Sequence, residues 1–259
     1  MRIVVFTSNA LRHKYIANTL AKSASECLVV SECKSYDGVV PSEESALVKK
    51  HFALRLETEQ KFFGEHETFH APTLPILHKE VNTPFVYEAV KRFRPDAAFV
   101  FGSWILKEPL LSLIPSGKFI NMHLGLSPYY RGSGTNFWPI VNKEPQYVGA
   151  TLLHIDAGID SGDIIAHVRP QIAPEDTVHT LGCKTIVEGG KALLAILETL
   201  ESGKALQRTK QWAGGEDKFY KKIDFNEGVL KKYYEILESG ILSKYLEERP
   251  SDPRLIALG

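Results

Sequence analysis

The run Asp96-Ala-Ala-Phe-Val-Phe-Gly102 constrains the fold more than any other stretch of the chain. It is nearly continuous in apolar residues, enters from Arg94-Pro95 and stops at a glycine, so it reads as a strand covered on both faces in a parallel sheet rather than one with a wet side. Ile3 to Thr7 and Cys27 to Val30 are short apolar runs that also read as strands, and Phe119 to His123 is another strand. After the first of these, Ser8-Asn9 supplies a turn and helix cap, and Ile16, Leu20 and Ala24 follow at helical spacing. Strand, turn, helix is how a parallel α/β domain begins, and strands buried on both sides require helices on both faces of the sheet.

The remaining periodicities fill in that plan. Pro41-Ser-Glu-Glu44 reads as the start of a long charged helix running toward Gly64. A helix near Pro84 to Phe93 ends at Arg94 because a residue before proline is pushed out of the helical region. Phe119 to His123 is reached through a short helical crossover and Pro115-Ser-Gly117. Gly149 to Ile155 and Asp163 to Val168 are two strands joined by a turn-rich loop, Asp156-Ala-Gly-Ile-Asp-Ser-Gly162. From Asp176 to Leu200 runs one amphipathic helix with an Asp/Thr capping signal, ending near Ser202-Gly203. The domain boundary falls there, giving a main domain of residues 1–203 and an α-rich extension of 204–259, with Val229, Leu230, Tyr233, Leu237 and Leu242 at helical spacing. That spacing suits packing on the sheet edge and a homodimer interface equally.

Charge excludes some partners. Lys plus Arg and Asp plus Glu both number 31, so no global positive field gathers a polyanion, and neither a nucleic acid nor an acidic membrane is an expected partner. No uncharged apolar run approaches membrane-spanning length and the first apolar stretch is too short for a signal peptide, which predicts a cytoplasmic protein. Cys27, Cys33 and Cys183 are scattered and read as buried reduced thiols. His123, His154, His167 and His179 lack metal-ligand spacing, so no metal is expected.

The chemistry concentrates in Asn121-Met-His-Leu-Gly-Leu-Ser-Pro-Tyr-Tyr-Arg-Gly132. On a strand, residues two apart share a face, so Asn121 and His123 emerge side by side at the sheet's C-terminal edge, near Gly102-Ser-Trp104. An amide can donate to a developing oxyanion, and an imidazole can carry a proton or stabilise the same charge. A carboxylate is the natural third member, because it orients the imidazole and supports its cation. Asp160 in the glycine-rich loop is the candidate, although Asp160-Ser-Gly162 also reads as an Asx turn.

These residues carry a family likeness. Asn121-Met-His-Leu-Gly-Leu-Ser-Pro-Tyr-Tyr-Arg-Gly132 resembles the N-x-H-P-S-L-L-P-x-Y-R-G signature of the folate-dependent formyltransferases, and His154-Ile-Asp-Ala-Gly-Ile-Asp-Ser-Gly-Asp-Ile-Ile165 resembles their H-x-x-D-x-G-x-D-T-G-x-x-I signature. With Arg94-Pro-Asp96 and Gly102-Ser-Trp-Ile-Leu106 the likeness spans roughly residues 1 to 200. It implies a Rossmann-like, mostly parallel sheet, catalytic residues Asn121, His123 and Asp160, and N10-formyltetrahydrofolate as cosubstrate. It also implies that Gly102, Trp104, Ile105, Leu106, Asp156 and Gly158 hold the pterin, largely through backbone hydrogen bonds in an apolar slot.

The acceptor is less constrained. Phe6-Thr-Ser-Asn9 keeps the Ser8-Asn9 of the G-S-N phosphate loop of glycinamide ribonucleotide transformylases but not its glycine, and Leu124-Gly125 replaces the Pro-Ser of the family signature. A methionyl-tRNA formyltransferase is expected to add a basic C-terminal barrel, whereas residues 204–259 are short for one and hold eleven Lys plus Arg against nine Asp plus Glu. A formyl-folate hydrolase with the same three residues is expected to carry a regulatory domain ahead of them. Tyr129-Tyr-Arg-Gly-Ser-Gly-Thr-Asn-Phe-Trp138 resembles the loop that follows the motif in sugar N-formyltransferases, so the favoured acceptor is a small-molecule amine, a nucleotide-linked amino sugar, with Ser8, Asn9, Tyr130, Arg131 and Gly132 as contacts. Trp104, Tyr130 and Phe137 could stack on it or simply pack the loop. A non-catalytic folate sensor is the reading from another class, and a dinucleotide dehydrogenase is disfavoured because no G-x-G-x-x-G follows the first strand.

Overall fold

The computed structural model describes residues 1–33, 45–155, 162–213 and 218–259. In chain order the elements are β1 (Arg2–Ser8), α1 (Leu11–Ser23), β2 (Glu26–Cys33), α2 (Ala46–Phe63), β3 (Thr73–Leu77), α3 (Pro84–Phe93), β4 (Ala97–Phe101), β5 (Phe119–His123), β6 (Tyr130–Gly132), α4 (Trp138–Val141), β7 (Ala150–His154), β8 (Ile164–Val168), α5 (Val178–Glu201), β9 (Lys218–Tyr220), α6 (Glu227–Glu238) and α7 (Ile241–Glu248). The main sheet has the order β3-β2-β1-β4-β5-β7-β8. Its first five strands are parallel; β5–β7 and β7–β8 are antiparallel. The chain winds outward from β1 to β3, then returns to the other side of β1, so the direction of winding reverses between β1 and β4. Open α/β sheets bind ligands beside the C-terminal ends of strands at such a reversal.

Strand alternation explains the two covered faces. On β1, Ile3 and Val5 lie in the apolar cluster that includes Ile16 and Leu20 of α1 and Ile186 and Leu193 of α5. Val4 and Phe6 lie in the opposite cluster with Val86 and Val90 of α3. All four β1 side chains are fully buried, each contributing about 1.5–3 kcal/mol relative to exposure.

Local signals account for several boundaries. α5 starts with a capping box: Thr180 N–H donates to Thr177 Oγ1 (3.3 Å) and Thr177 N–H to Thr180 Oγ1 (2.8 Å). α3 ends at Phe93, and Arg94 before Pro95 takes a left-handed φ of 54°. Other expectations are corrected. Ser8 finishes β1 and Ala10 occupies the cap position of α1 without a side-chain cap, because both Ser8 and its hydroxyl are engaged in the sheet edge described below. α2 begins after Ser45, whose hydroxyl accepts from Val48 N–H, while the expected start at 41–44 lies outside the described residues. The crossover to β5 contains only a 3-10 turn, Leu111–Leu113. Cys27 and Cys183 are buried, and burial pushes both thiols up to about 12, but Cys33 at the end of β2 is exposed.

The C-terminal helices pack on the rest of the chain. Leu230, Tyr233 and Ile236 of α6 and Leu242 of α7 share an apolar cluster with Val48, Phe137, Trp138, Val141 and Leu181. Thr209 exchanges two backbone hydrogen bonds with Ile164 of β8 (2.7 and 2.9 Å), and His167 N–H donates to Ile256 C=O (2.8 Å). These segments cover the β8 edge, whose open peptide groups would otherwise invite pairing with another chain. No helix among the described residues is long and apolar enough to cross a membrane.

Candidate active site

β5 places its two polar side chains by simple alternation. Phe119 faces the α3-side cluster while Ile120 and Met122 face the α1/α5 side, so Asn121 and His123 project to the Phe119 side. Asn121 is half-buried and His123 is buried at 9% exposure, at the strand's last position. Asn121 lies opposite Val100 of β4 and Leu153 of β7, and His123 lies opposite Thr151.

Thr151 then holds the loop leaving His123. Its hydroxyl donates to Gly125 C=O (2.5 Å) and accepts from Ser127 N–H (2.8 Å). Tyr130 N–H donates to Leu126 C=O (2.9 Å). His167 fixes the same loop from β8: its Nδ1 accepts from Ile256 N–H (2.9 Å), so Nε2 carries the proton and donates to Ser127 C=O (2.8 Å). Burial lowers the pKa of His167, which keeps it in that neutral form. Gly125 has a steric reason. A Cβ there would stand 2.6 Å from Thr135 Cβ and 2.8 Å from His123 Nε2, so glycine at this position lets Thr135 approach the histidine.

The neighbouring edge is formed by β1 and β4. Thr7 Oγ1 donates to Phe101 C=O (2.7 Å) and Ser8 Oγ to Gly102 C=O (2.6 Å). Gly102 has a φ of 77°, and a Cβ on it would run into the ring of His13, which also meets Phe101 edge-on at 5.1 Å. Ser8 is fully buried with its hydroxyl committed to this contact, and Asn9 beside it is half-buried. Beyond Gly102, Trp104 and Ile105 are exposed (38% and 44%) and Leu106 is half-buried. Among the described residues, neither the N–H nor the C=O of Leu106 has a hydrogen-bond partner. Two exposed apolar side chains beside an open donor and acceptor suit a flat heteroaromatic ring with a polar edge, such as a pterin.

On the other side of His123 lies a two-stranded ribbon. β6 pairs in parallel with β9, setting Tyr130 against Lys218, Arg131 against Phe219 and Gly132 against Tyr220. Tyr130 is buried; its hydroxyl donates to the Glu144 carboxylate and accepts from Asn142 Nδ2 (2.9 Å), while Lys218 Nζ pairs with Glu144 (2.5 Å). Burial, then the bond to Glu144, raises the Tyr130 pKa, so its phenol stays neutral. Gly132 has a φ of 91° and a Cβ there would run into Tyr220 C=O, which accepts from Ser133 N–H (2.7 Å). The Tyr220 ring stacks on Trp138 at 4.0 Å and 6°. Arg131 and Gly132 are half-buried, and Phe137 packs in the apolar cluster under this ribbon.

The predicted site residues therefore fall into two groups around β5. Ser8, Asn9, Gly102, Trp104, Ile105 and Leu106 lie on the β1/β4 side; Tyr130, Arg131 and Gly132 lie on the ribbon. Asp156, Gly158 and Asp160 lie outside the described residues. The other histidines have their own employment: His154 Nε2 meets Gln207 C=O (3.1 Å), and the His179 ring lies 4.3 Å from that of His51. Among the described residues no cluster of three or more metal-ligating side chains occurs. Sequence reasoning missed His13, Thr135 and Thr151. Position in the first turn after β1 was the one available signal for His13; nothing local marks the two threonines.

The family model described as formyl transferase matches residues 1–197. The methionyl-tRNA formyltransferase of Desulforamulus reducens is 36% identical over 150 residues, 53% of this chain and 46% of the relative. The chain thus spans less than half the length of that relative. Among solved structures, the N-formyltransferase from Helicobacter canadensis, in complex with folinic acid and dTDP-3-aminofucose, superposes with a TM-score of 0.58 at 19% identity, covering 92% of this chain and 81% of that one. The phosphoribosylglycinamide formyltransferase from Anaplasma phagocytophilum gives 0.56 at 18% identity, covering 85% and 97%.

Proposed function

The chain belongs to the formyl transferase family, and from that premise we propose that it moves the formyl group of N10-formyltetrahydrofolate onto the primary amine of a small molecule. The observation that carries this reading is the placement of Asn121 and His123 on one face of β5, at the C-terminal edge of the sheet and one strand beyond the β1/β4 reversal of winding. The folate's pterin lies along Gly102–Leu106, with Asp156 and Gly158 assigned to it by the family likeness. The amine nitrogen bonds to the formyl carbon, and the carbonyl oxygen becomes an oxyanion that receives hydrogen bonds from the Asn121 amide and the protonated His123 ring. Asp160 stabilises that imidazolium and takes the amine proton, directly or through a water. The oxyanion then re-forms the C=O as the bond from carbon to N10 breaks, N10 takes the proton that the amine gave up to Asp160, and tetrahydrofolate leaves with a formamide as the other product.

The acceptor we favour is a nucleotide-linked amino sugar bound on the β6 side of His123. The sugar nucleotide in the Helicobacter canadensis complex supports that choice by analogy of fold. The relatives named methionyl-tRNA formyltransferase favour a second acceptor, methionyl-tRNA, for the same chemistry. Tetrahydrofolate release is the assay, run with a panel of nucleotide-linked amino sugars, glycinamide ribonucleotide, amino acids and methionyl-tRNA. Release that depends on an amino sugar supports the reading, release that depends on methionyl-tRNA replaces the acceptor, and equal release without any amine makes the protein a hydrolase.

A further inference from the structure

Two side chains outside the Gly102–Leu106 segment hold it by its backbone. Glu32, near the end of β2, has a side chain with no solvent exposure. Its carboxylate accepts from Trp104 N–H (3.3 Å) and Lys79 N–H (3.3 Å) and pairs with His78 Nδ1 (3.1 Å). A carboxylate this deep is costly to desolvate unless its oxygens are occupied, and here backbone donors from two separate loops occupy them. The same cluster fixes the Trp104 indole: Lys79 Nζ stands 4.9 Å over the ring, and His78 meets it edge-on at 5.2 Å. Lys79 reaches this position with a left-handed φ of 73°. Such strain in a lysine persists where surrounding contacts over-determine it.

Asn82, in the 3-10 turn Glu80–Asn82, closes the bracket from the other end. Its Nδ2 donates to Ile105 C=O (2.8 Å) and its Oδ1 accepts from Lys107 N–H (2.8 Å). Glu32 and Asn82 thus engage Trp104 N–H, Ile105 C=O and Lys107 N–H, pinning the backbone before and after Leu106, while among the described residues the Trp104 C=O, the Ile105 N–H and both backbone groups of Leu106 stay open. A segment pinned at both ends with open donors and acceptors between the pins holds those groups at fixed positions, as a ligand with a polar edge requires.

We propose that Glu32 and Asn82 are positioning residues for the folate. They hold the Leu106 donor and acceptor in fixed register for the polar edge of the pterin, with Trp104 set as a rigid wall beside it. The inference rests on the formyl-folate reading above. It assigns to neither residue a contact with the formyl carbon, so the effect of removing them falls on folate affinity and not on the chemical step.

The test uses Glu32→Gln, which leaves one good acceptor where the carboxylate had two, and Asn82→Ala. Calorimetric binding of 5-formyltetrahydrofolate and steady-state kinetics with the amine found in the acceptor panel are compared with wild type. Each variant is expected to weaken folate binding and raise the KM for N10-formyltetrahydrofolate by about tenfold, with kcat at saturating folate and the KM for the amine within about twofold. Unchanged folate affinity in variants with native near-UV circular dichroism overturns the positioning role, and so does a fall in kcat with an unchanged folate KM. Should Glu32→Gln fail to fold, Asn82→Ala, which alters a turn outside the sheet, decides the matter. Wild-type protein that does not bind 5-formyltetrahydrofolate overturns the functional reading itself, a different failure from wild-type binding that both variants retain.

Discussion

The loop after β4 and the loop after β5 leave the same edge of the sheet, yet different parts of the chain hold them. The β4 loop is braced within the main domain, by Ser8 from β1, Glu32 from β2 and Asn82 between β3 and α3. The β5 loop is tied to Thr151 of β7 and His167 of β8 at its start, but its far end is built into a ribbon with β9 of the extension. On the functional reading above, the donor side is a property of the α/β domain. The acceptor side is completed by residues 204–259, so the two should be separable by mutation.

The largest separation is expected from Gly132→Ala. Positive φ and the Tyr220 carbonyl leave no room for a Cβ, so β6 and β9 must part, at a cost on the order of 2–4 kcal/mol. Thermal melting should register that loss, and the KM for the amine should rise while 5-formyltetrahydrofolate binds as in wild type. Equal damage to both affinities would break the comparison.

Acid should act on the same side. His51 of α2 and His179 of α5 lie 4.3 Å apart, and His51 Nδ1 meets Tyr234 Oη of α6 at 3.2 Å. Burial, reinforced by Arg55, lowers His51 to about 4; burial, then His51 and Arg55, lowers His179 to about 3. Both pKa values lie below the unfolded value near 6.5, so the unfolded chain binds more protons between these limits. Stability is full above about pH 6.5 and falls as pH drops toward 4, by up to about 1.4 kcal/mol per pH unit for each imidazole. Melting from pH 7.5 to 4.5 should show this slope, flattened in His179→Phe, with docking of α6 lost before folate binding. A slope unaltered by that substitution would assign the acid sensitivity elsewhere.

Tyr220→Phe should have the smallest effect. It removes the hydroxyl that accepts from Asn142 Nδ2 (2.8 Å) and keeps the stack on Trp138, at a cost of about 0.5–1.5 kcal/mol in urea denaturation. A change in the amine KM larger than that of Gly132→Ala would mean that the phenol contacts the acceptor and is more than a strut.

Strands buried on both faces announced themselves: β1 and β4 are apolar runs that nothing else would cover, and the α5 cap and the α3 stop are local chemistry read directly from Thr177 and Pro95. β3 was not legible because it is a five-residue edge strand carrying Pro75, a residue that argues against a strand unless one ladder side is free. β9 was hidden because three residues of a Lys-rich segment become a strand only when β6 is beside them. Asn121 and His123 could be read from strand period, since two-residue spacing fixes a shared face. Glu32, Thr135 and Thr151 could not, because their roles depend on partners up to 72 residues away in the chain. Tyr130 illustrates the opposite case, a residue whose motif suggests a ligand contact while its hydroxyl is held by Glu144 and Asn142.

The central claim is that Asn121 and His123 stabilise the tetrahedral oxyanion of formyl transfer. The most direct measurement is amine-dependent tetrahydrofolate release by wild type, Asn121→Ala and His123→Ala, with 5-formyltetrahydrofolate binding measured on the same preparations. The account predicts that each substitution lowers kcat by about a hundred-fold to a thousand-fold while folate binding holds. Turnover within a few-fold of wild type in both variants would contradict it.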